Sequence, residues 1–329
     1  MGNQPNREGP LHLVMVECCL CEIDNGDPIA TGEDFEYRVT QDTFVAVRCR
    51  RCGLVYLNRR PADDELDRIY PADYHAFQFS PEKFGLVHGV RRRLEARRLL
   101  KLCAGLPADA RILDVGCGDG FHLGLLREFG KPGWILEGID LSERAVAAAR
   151  RAGLQVELGD IENPHLPDAA YHLILLIATI EHVGNPVSVL RAAARLLRPG
   201  GRVLIVTDNT ATLDFRLWSR RHWGGYHFPR HWNLFNLETL RKLAGKASLE
   251  VESLQTIVSP VNWVFSIRNL LVDRGAPSWL VNRFSLKTPV ALGIFTLVDA
   301  ACQMAGHGAL ARLIARRPES PGSSGTALE

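Results

Sequence analysis

The stretch Leu113-Asp114-Val115-Gly116-Cys117-Gly118-Asp119-Gly120 decides how this chain is read. An apolar run over 111–116 leads into it as a buried strand, and the glycines then turn the chain into a helix. Glycine reaches left-handed backbone without a steric penalty and lets a ligand approach the main chain closely. The spacing G-x-G-x-G is one residue shorter than the dinucleotide fingerprint, and an acid, Asp114, stands just before it.

Outward from this loop, residues 134–140, 155–158, 171–179 and 202–207 read as further strands. Helices are expected over 142–152, with Ser142 as N-cap, and over 187–197. Pro199-Gly200-Gly201 is expected to stop the second helix and start the next strand. Strand and helix alternating at this spacing predict a parallel sheet with helices on both faces. Ligands of such sheets bind beyond the carboxyl ends of the strands. Asp140, followed by Leu141, ends the second strand; Asp160, followed by Ile161, ends the third. A carboxylate at the first place suits both hydroxyls of a ribose, and an acid with an apolar neighbour at the second suits an adenine. A generic α/β turn with two strand-terminal acids is the bland alternative, disfavoured because all three features fall at consecutive strand ends.

The chain has 329 residues, 46% hydrophobic and 23% charged, a globular balance that excludes a disordered or collagen-like protein. A net charge of +2 gives nucleic acid or an anionic membrane no concentrated handle. The first ten residues lack the apolar core of a secretory signal, and no apolar run approaches the ~18 residues of a spanning helix. A cytoplasmic protein is expected. Four of its eight cysteines form two pairs, Cys18-x-x-Cys21 and Cys49-x-x-Cys52, with 27 residues between them. Two such knuckles close a tetrahedral shell around one structural zinc, with Cys19 as a spare thiol beside it.

LDVGCGDG, GIDLS, GDIE and LRPGG together resemble the class I S-adenosylmethionine-dependent methyltransferases over residues 90–255. The resemblance implies a Rossmann-like, seven-stranded, mostly parallel sheet. It lays the cofactor over Gly116, Gly118 and Gly120, with Asp114 behind, Asp140 and Leu141 at the ribose, and Asp160 and Ile161 at the adenine. His172 stands where the family usually has an acid, remote from the methyl group. Glu181-His182, after the fourth strand, resembles a motif of ubiquinone-biosynthesis-type O-methyltransferases, in which His182 would act as base. Some relatives carry a second acid three residues earlier that helps bind a divalent ion; Ala178 stands there and argues against a catalytic metal. The run from Tyr226 to Phe235 resembles a substrate-covering stretch of bacterial methyltransferases. It offers Tyr226, His227, Arg230 and His231 with Trp232, Arg230 facing an anion or carbonyl and His231 facing the methyl group with His182. The rival reading makes the aromatics core and the histidines helix caps.

The expected organisation is a zinc ribbon over 1–79, the cofactor-binding domain over 80–257, an apolar helical insertion and last strand over 258–316, and a disordered tail over 317–329. The cysteine knuckles with Tyr70-Pro-Ala-Asp-Tyr74 resemble the front of methyltransferases acting on sugars and natural products; the sugar enzymes are longer, and a sugar substrate is not the expectation. Residues 258–308 read as a cap or dimer face, and alternatively as a contact with a membrane surface. The function expected is O-methylation of a small biosynthetic molecule. C-methylation, RNA methylation with the ribbon as grip, and a non-catalytic partner subunit are the alternatives.

Overall fold

The computed structural model describes residues 9–71, 74, 81–162 and 165–319. Seven strands form its main sheet: β1 (Arg111–Val115), β2 (Ile135–Asp140), β3 (Gln155–Leu158), β4 (Tyr171–Ile177), β5 (Leu197–Asp208), β6 (Glu250–Ile257) and β7 (Leu310–Arg316). Their spatial order is β6-β7-β5-β4-β1-β2-β3. The pairs β3/β2, β2/β1, β1/β4 and β4/β5 are parallel, whereas β7 runs antiparallel to both β5 and β6. The central strand β4 is buried on both faces, with Leu173, Ile174, Leu175 and Leu176 all at 0% exposure, which explains why its sequence is a continuous apolar run.

Local signals set the helices between these strands. The Ser142 hydroxyl accepts from the amide of Ala145 and starts Glu143–Arg151. Asn185 and Pro186 start Pro186–Leu196, and Asn236 with Thr239 closes a capping box on Leu237–Lys246. One local expectation is corrected. The helix before β5 ends at Leu196, and Leu-Arg-Pro-Gly-Gly lies within β5 as a bulge, where Leu197 pairs with Tyr171 and Arg202 already with Leu173. In the helix Pro81–Cys103, Leu94 faces solvent while Ala96, Leu99 and Cys103 form the buried line.

The N-terminal region carries more structure than its loop-rich sequence announces. Gly26–Gly32, Phe44–Cys49 and Val55–Leu57 form an antiparallel sheet, and its fourth strand, Asn233–Leu234, comes from the segment after β5. Phe44, Trp223, Tyr226, Phe228 and Trp232 share one buried cluster across the two segments. The insertion before β7 folds as Val261–Asp273, Ser278–Val281 and Pro289–Met304. Trp263 stacks on Phe295 at 6.0 Å. Buried Asp299 accepts from the amides of Ser259 and Ala309, closing the insertion onto itself. Val290, Ile294, Leu297 and Met304 point outward from its last helix. Among the described residues no helix is long and apolar enough to cross a membrane. The expected tail beyond Glu319 lies outside the described residues.

Candidate functional site

The glycine loop leaves β1 at the carboxyl edge of the sheet. Gly116, Gly118 and Gly120 have φ of +68°, +57° and +83°, a conformation that side-chain-bearing residues adopt only at a cost. Space is equally tight: a Cβ on Gly116 would sit 2.7 Å from Thr179 Cγ2, and one on Gly120 2.2 Å from Leu154 Cδ1. Asp140 holds the loop from the neighbouring strand, its two oxygens accepting from the amides of Gly118 and Ser142, each at 2.8 Å. Burial pushes the Asp140 carboxyl up, and those two amides oppose the shift.

Several features of this cradle fit a nucleoside cofactor. Asp114 is 1% exposed, and its Oδ2 has no hydrogen-bond partner among the described residues, the nearest charge partner being His122 Nδ1 at 3.7 Å. An orphaned buried carboxylate oxygen beside a glycine turn is a ready acceptor for a ligand donor. Leu141 is 62% exposed next to Asp140, and Asp160 is exposed at the end of β3. Ile161 corrects the expectation: at 1% exposure its side chain packs into the sheet core and leaves no surface for a purine.

A second constellation lies at the ends of β4 and β5, abutting the loop through Thr179, whose hydroxyl donates to the Val115 carbonyl. His182 and His231 meet edge to face at 4.6 Å, and His227 lies 5.0 Å from His231. Nδ1 of His231 is 2.7 Å from the Gly225 carbonyl and 3.2 Å from Asp208 Oδ2. A carbonyl can only accept, so the proton sits on Nδ1 and the lone pair on Nε2. Burial works against charge on His231, but Asp208, Glu181 and the Gly225 carbonyl outweigh it and hold its pKa above the ordinary value. His182 goes the other way, well below that value, chiefly through burial and then through the neighbouring His231 and His227. Glu181 is 2% exposed with Oε2 unpartnered among the described residues, and burial lifts its carboxyl to about 7. Glu181, His182 and His231 bring one ligand atom each within 4.8 Å of one another, so this set could hold a cation. His172, by contrast, accepts from the amide of Arg111 at the opposite, amino end of the sheet.

Three of the expected pocket residues have other work. Arg230 is fully buried; Nη1 and Nη2 donate to Asp34 at 3.1 and 2.9 Å, and Nε donates to the Ile69 carbonyl. Its donors are spent on the protein, so it does not face a substrate anion. Tyr226, 1% exposed, is core: it stacks on Phe228 at 4.9 Å and donates to the Ser219 carbonyl. His227 is paired with Glu36 at 2.7 Å, and burial drags its pKa to about 4 despite that carboxylate. Sequence reasoning missed Asp208 and Tyr70. Asp208 follows the same strand-end logic as Asp140 and Asp160 and was open to that argument, whereas the stretch Tyr70–Tyr74 carries a resemblance but no signal that ties Tyr70 to His182.

Cys18, Cys21, Cys49 and Cys52 bring their sulfurs within 4.8 Å of one another, Cys18 and Cys52 at 3.5 Å. Four thiolates around one zinc lie ~3.8 Å apart for metal–sulfur bonds of ~2.3 Å, so the set fits a tetrahedral ion. Cys19 turns away to the Asn233 side-chain oxygen.

The fold is an α/β sheet with a glycine cradle at the carboxyl edge of its central strands. Residues 87–254 match the family model described as "Methyltransferase domain", and the chain belongs to that family. It is similar to an uncharacterised 37.1 kDa protein in transposon TN4556 of Streptomyces fradiae, 39% identical over 110 residues, covering 31% of this chain and 32% of that one. It is also similar to the ubiquinone biosynthesis O-methyltransferase of Xanthomonas axonopodis pv. citri, 34% identical over 118 residues, covering 34% of this chain and 48% of the relative. The chain thus spans between a third and a half of the length of these curated relatives. Among solved structures, a S-adenosylmethionine-dependent methyltransferase from Thermotoga maritima aligns at 20% identity and a TM-score of 0.47, covering 72% of this chain and 93% of that one.

Proposed function

We propose that this protein transfers a methyl group from S-adenosylmethionine to an oxygen of a small biosynthetic molecule, with a histidine of the β4–β5 cluster as base. The observation that carries the reading is the abutment of the Gly116 cradle, through Thr179, on buried Glu181 with half-buried His182 and His231. Gly116, Gly118 and Gly120 would receive the cofactor's methionine portion, Asp140 and Leu141 its ribose, and Asp160 its base. The cofactor, when bound, supplies an electrophilic methyl on a sulfonium.

The protein's part is orientation and proton transfer. These residues would hold the acceptor oxygen in line with the sulfonium methyl, and a histidine Nε2 would take the acceptor proton. His182, kept neutral by burial, is available as base across the neutral range. His231, with Asp208 behind it, is placed to carry the positive charge. The same base would serve C-methylation of an acidic carbon. A second arrangement, favoured by their mutual distance, has Glu181, His182 and His231 holding a cation that would supply Lewis acidity to the acceptor.

The cysteine knuckles would hold a structural zinc. The outward row Val290, Ile294, Leu297 and Met304 is the face that a dimer or a membrane surface would use. Two experiments test the reading. Calorimetry with S-adenosylmethionine should show one site. A panel of phenols, enols and sugars should then release S-adenosylhomocysteine from wild type and not from His182→Ala with His231→Ala. Binding with no release from any acceptor would favour a partner subunit, and salt-dependent RNA binding would favour an RNA substrate.

A further inference from the structure

His182 is gripped from two sides. Its Nδ1 lies 3.1 Å from the Arg230 carbonyl and 2.8 Å from Tyr70 Oη. Arg230 belongs to the segment after β5, and Tyr70 follows the short helix Leu66–Ile69 of the N-terminal region. The carbonyl can only accept, so Nδ1 carries the proton, the Tyr70 oxygen shares it, and Nε2 is left basic. Tyr70 is itself held: Tyr74 meets it edge to face at 5.0 Å, and Arg230 Nε donates to the carbonyl of Ile69 beside it at 2.6 Å.

From this geometry we infer that Tyr70 is a positioning residue for His182, so that the cysteine-bearing N-terminal region supplies part of the reaction centre. The inference rests on His182 having a role in the proposed transfer. A second acceptor on Nδ1–H does two things for such a histidine. It fixes the plane of the ring whose tautomer the Arg230 carbonyl sets. It also stabilises the imidazolium formed when Nε2 takes a proton, which is otherwise disfavoured at this half-buried ring. Tyr226, whose hydroxyl donates to the Ser219 carbonyl, is the matched control.

The test needs no substrate. The full chain, labelled with 15N in histidine only, is followed by long-range 1H–15N correlation of the ring nitrogens, with His182→Gln to assign the signals. Wild type should show His182 as a single tautomer protonated at Nδ1 with an unprotonated Nε2. Tyr70→Phe should keep that tautomer, which the Arg230 carbonyl holds, but move the Nδ1–H resonance upfield and speed its exchange with water, while Tyr226→Phe leaves both alone. Zinc content and S-adenosylmethionine affinity equal to wild type in both variants show that neither has unfolded. A proton on Nε2 in wild type overturns the inference, as does an unchanged His182 in Tyr70→Phe. Once an acceptor is known, kcat of Tyr70→Phe should fall about tenfold with KM unchanged, a smaller loss than the ~10²–10⁴ expected for removing a base. Failure to bind S-adenosylmethionine at all would overturn the proposed function and leave the tautomer result standing by itself.

Discussion

Arg230 and Asp34, 196 positions apart, form a two-pronged ion pair in which neither side chain has any exposure to solvent. The pair ties the N-terminal region to the segment that carries His231, immediately beside the histidine cluster. Removing one partner leaves the other charge buried and uncompensated, which costs far more than the net worth of the pair. Arg230→Met is therefore expected to lower stability by about 3–5 kcal/mol. The check is the urea midpoint, with Arg230→Met/Asp34→Leu recovering part of the loss. A single variant as stable as wild type would remove this pair from the account.

The two oxygens of Asp140 hold the amides of Gly118 and Ser142 in place. Asp140→Ala should weaken S-adenosylmethionine binding at least tenfold, since charge-assisted hydrogen bonds are worth ~1.5–3 kcal/mol each. Its circular dichroism should match wild type. Unchanged affinity in calorimetry would take the ribose assignment away from Asp140.

The Glu181 carboxyl, lifted by burial from 4.5 to about 7, makes stability depend on pH. A raised acid favours the folded state while it is protonated. The unfolded chain ionises first, so the native state loses stability as pH rises from about 4.5 to about 7. Glu181→Gln lacks this penalty. Its gain over wild type should be near zero at pH 4.5, grow through that window, and level off above pH 7 at no more than about 3 kcal/mol. Thermal unfolding of both proteins across the range decides it; a pH-independent difference would place the titration elsewhere.

Strand Val55–Leu57, three residues beyond Cys52, pairs with Asn233–Leu234, and the Leu57 amide donates to the Trp232 carbonyl. Loosening the cysteine cluster should therefore reach the histidines. Cys49→Ser is expected to lose the metal, read by elemental analysis, and to speed amide hydrogen exchange over residues 228–235 about tenfold. Exchange confined to the first 60 residues would separate the two regions.

How much of this was legible in the sequence depends on where the information sits. Gly116, Gly118 and Gly120, Asp140 and the capped helices are local signals, and the strands around them lie within a residue or two of expectation apart from β5. The paired cysteines are equally local. Arg230 and Tyr226 are not: one is buried because Asp34 comes to meet it, the other because Phe44 of the N-terminal sheet joins its cluster, and no window around either residue contains those partners. The proline and glycines of LRPGG read as a stop signal, yet the bulge pairing of β5 with β4 absorbs them. Tyr70 lies over a hundred positions from the histidine it holds.

The most direct test of the central claim is native mass spectrometry of the purified protein, before and after adding S-adenosylmethionine. The account predicts one zinc per chain throughout, and the added mass of one S-adenosylmethionine or S-adenosylhomocysteine. Zinc without any cofactor mass, even at saturating S-adenosylmethionine, would contradict it and leave a methyltransferase fold that binds no methyl donor.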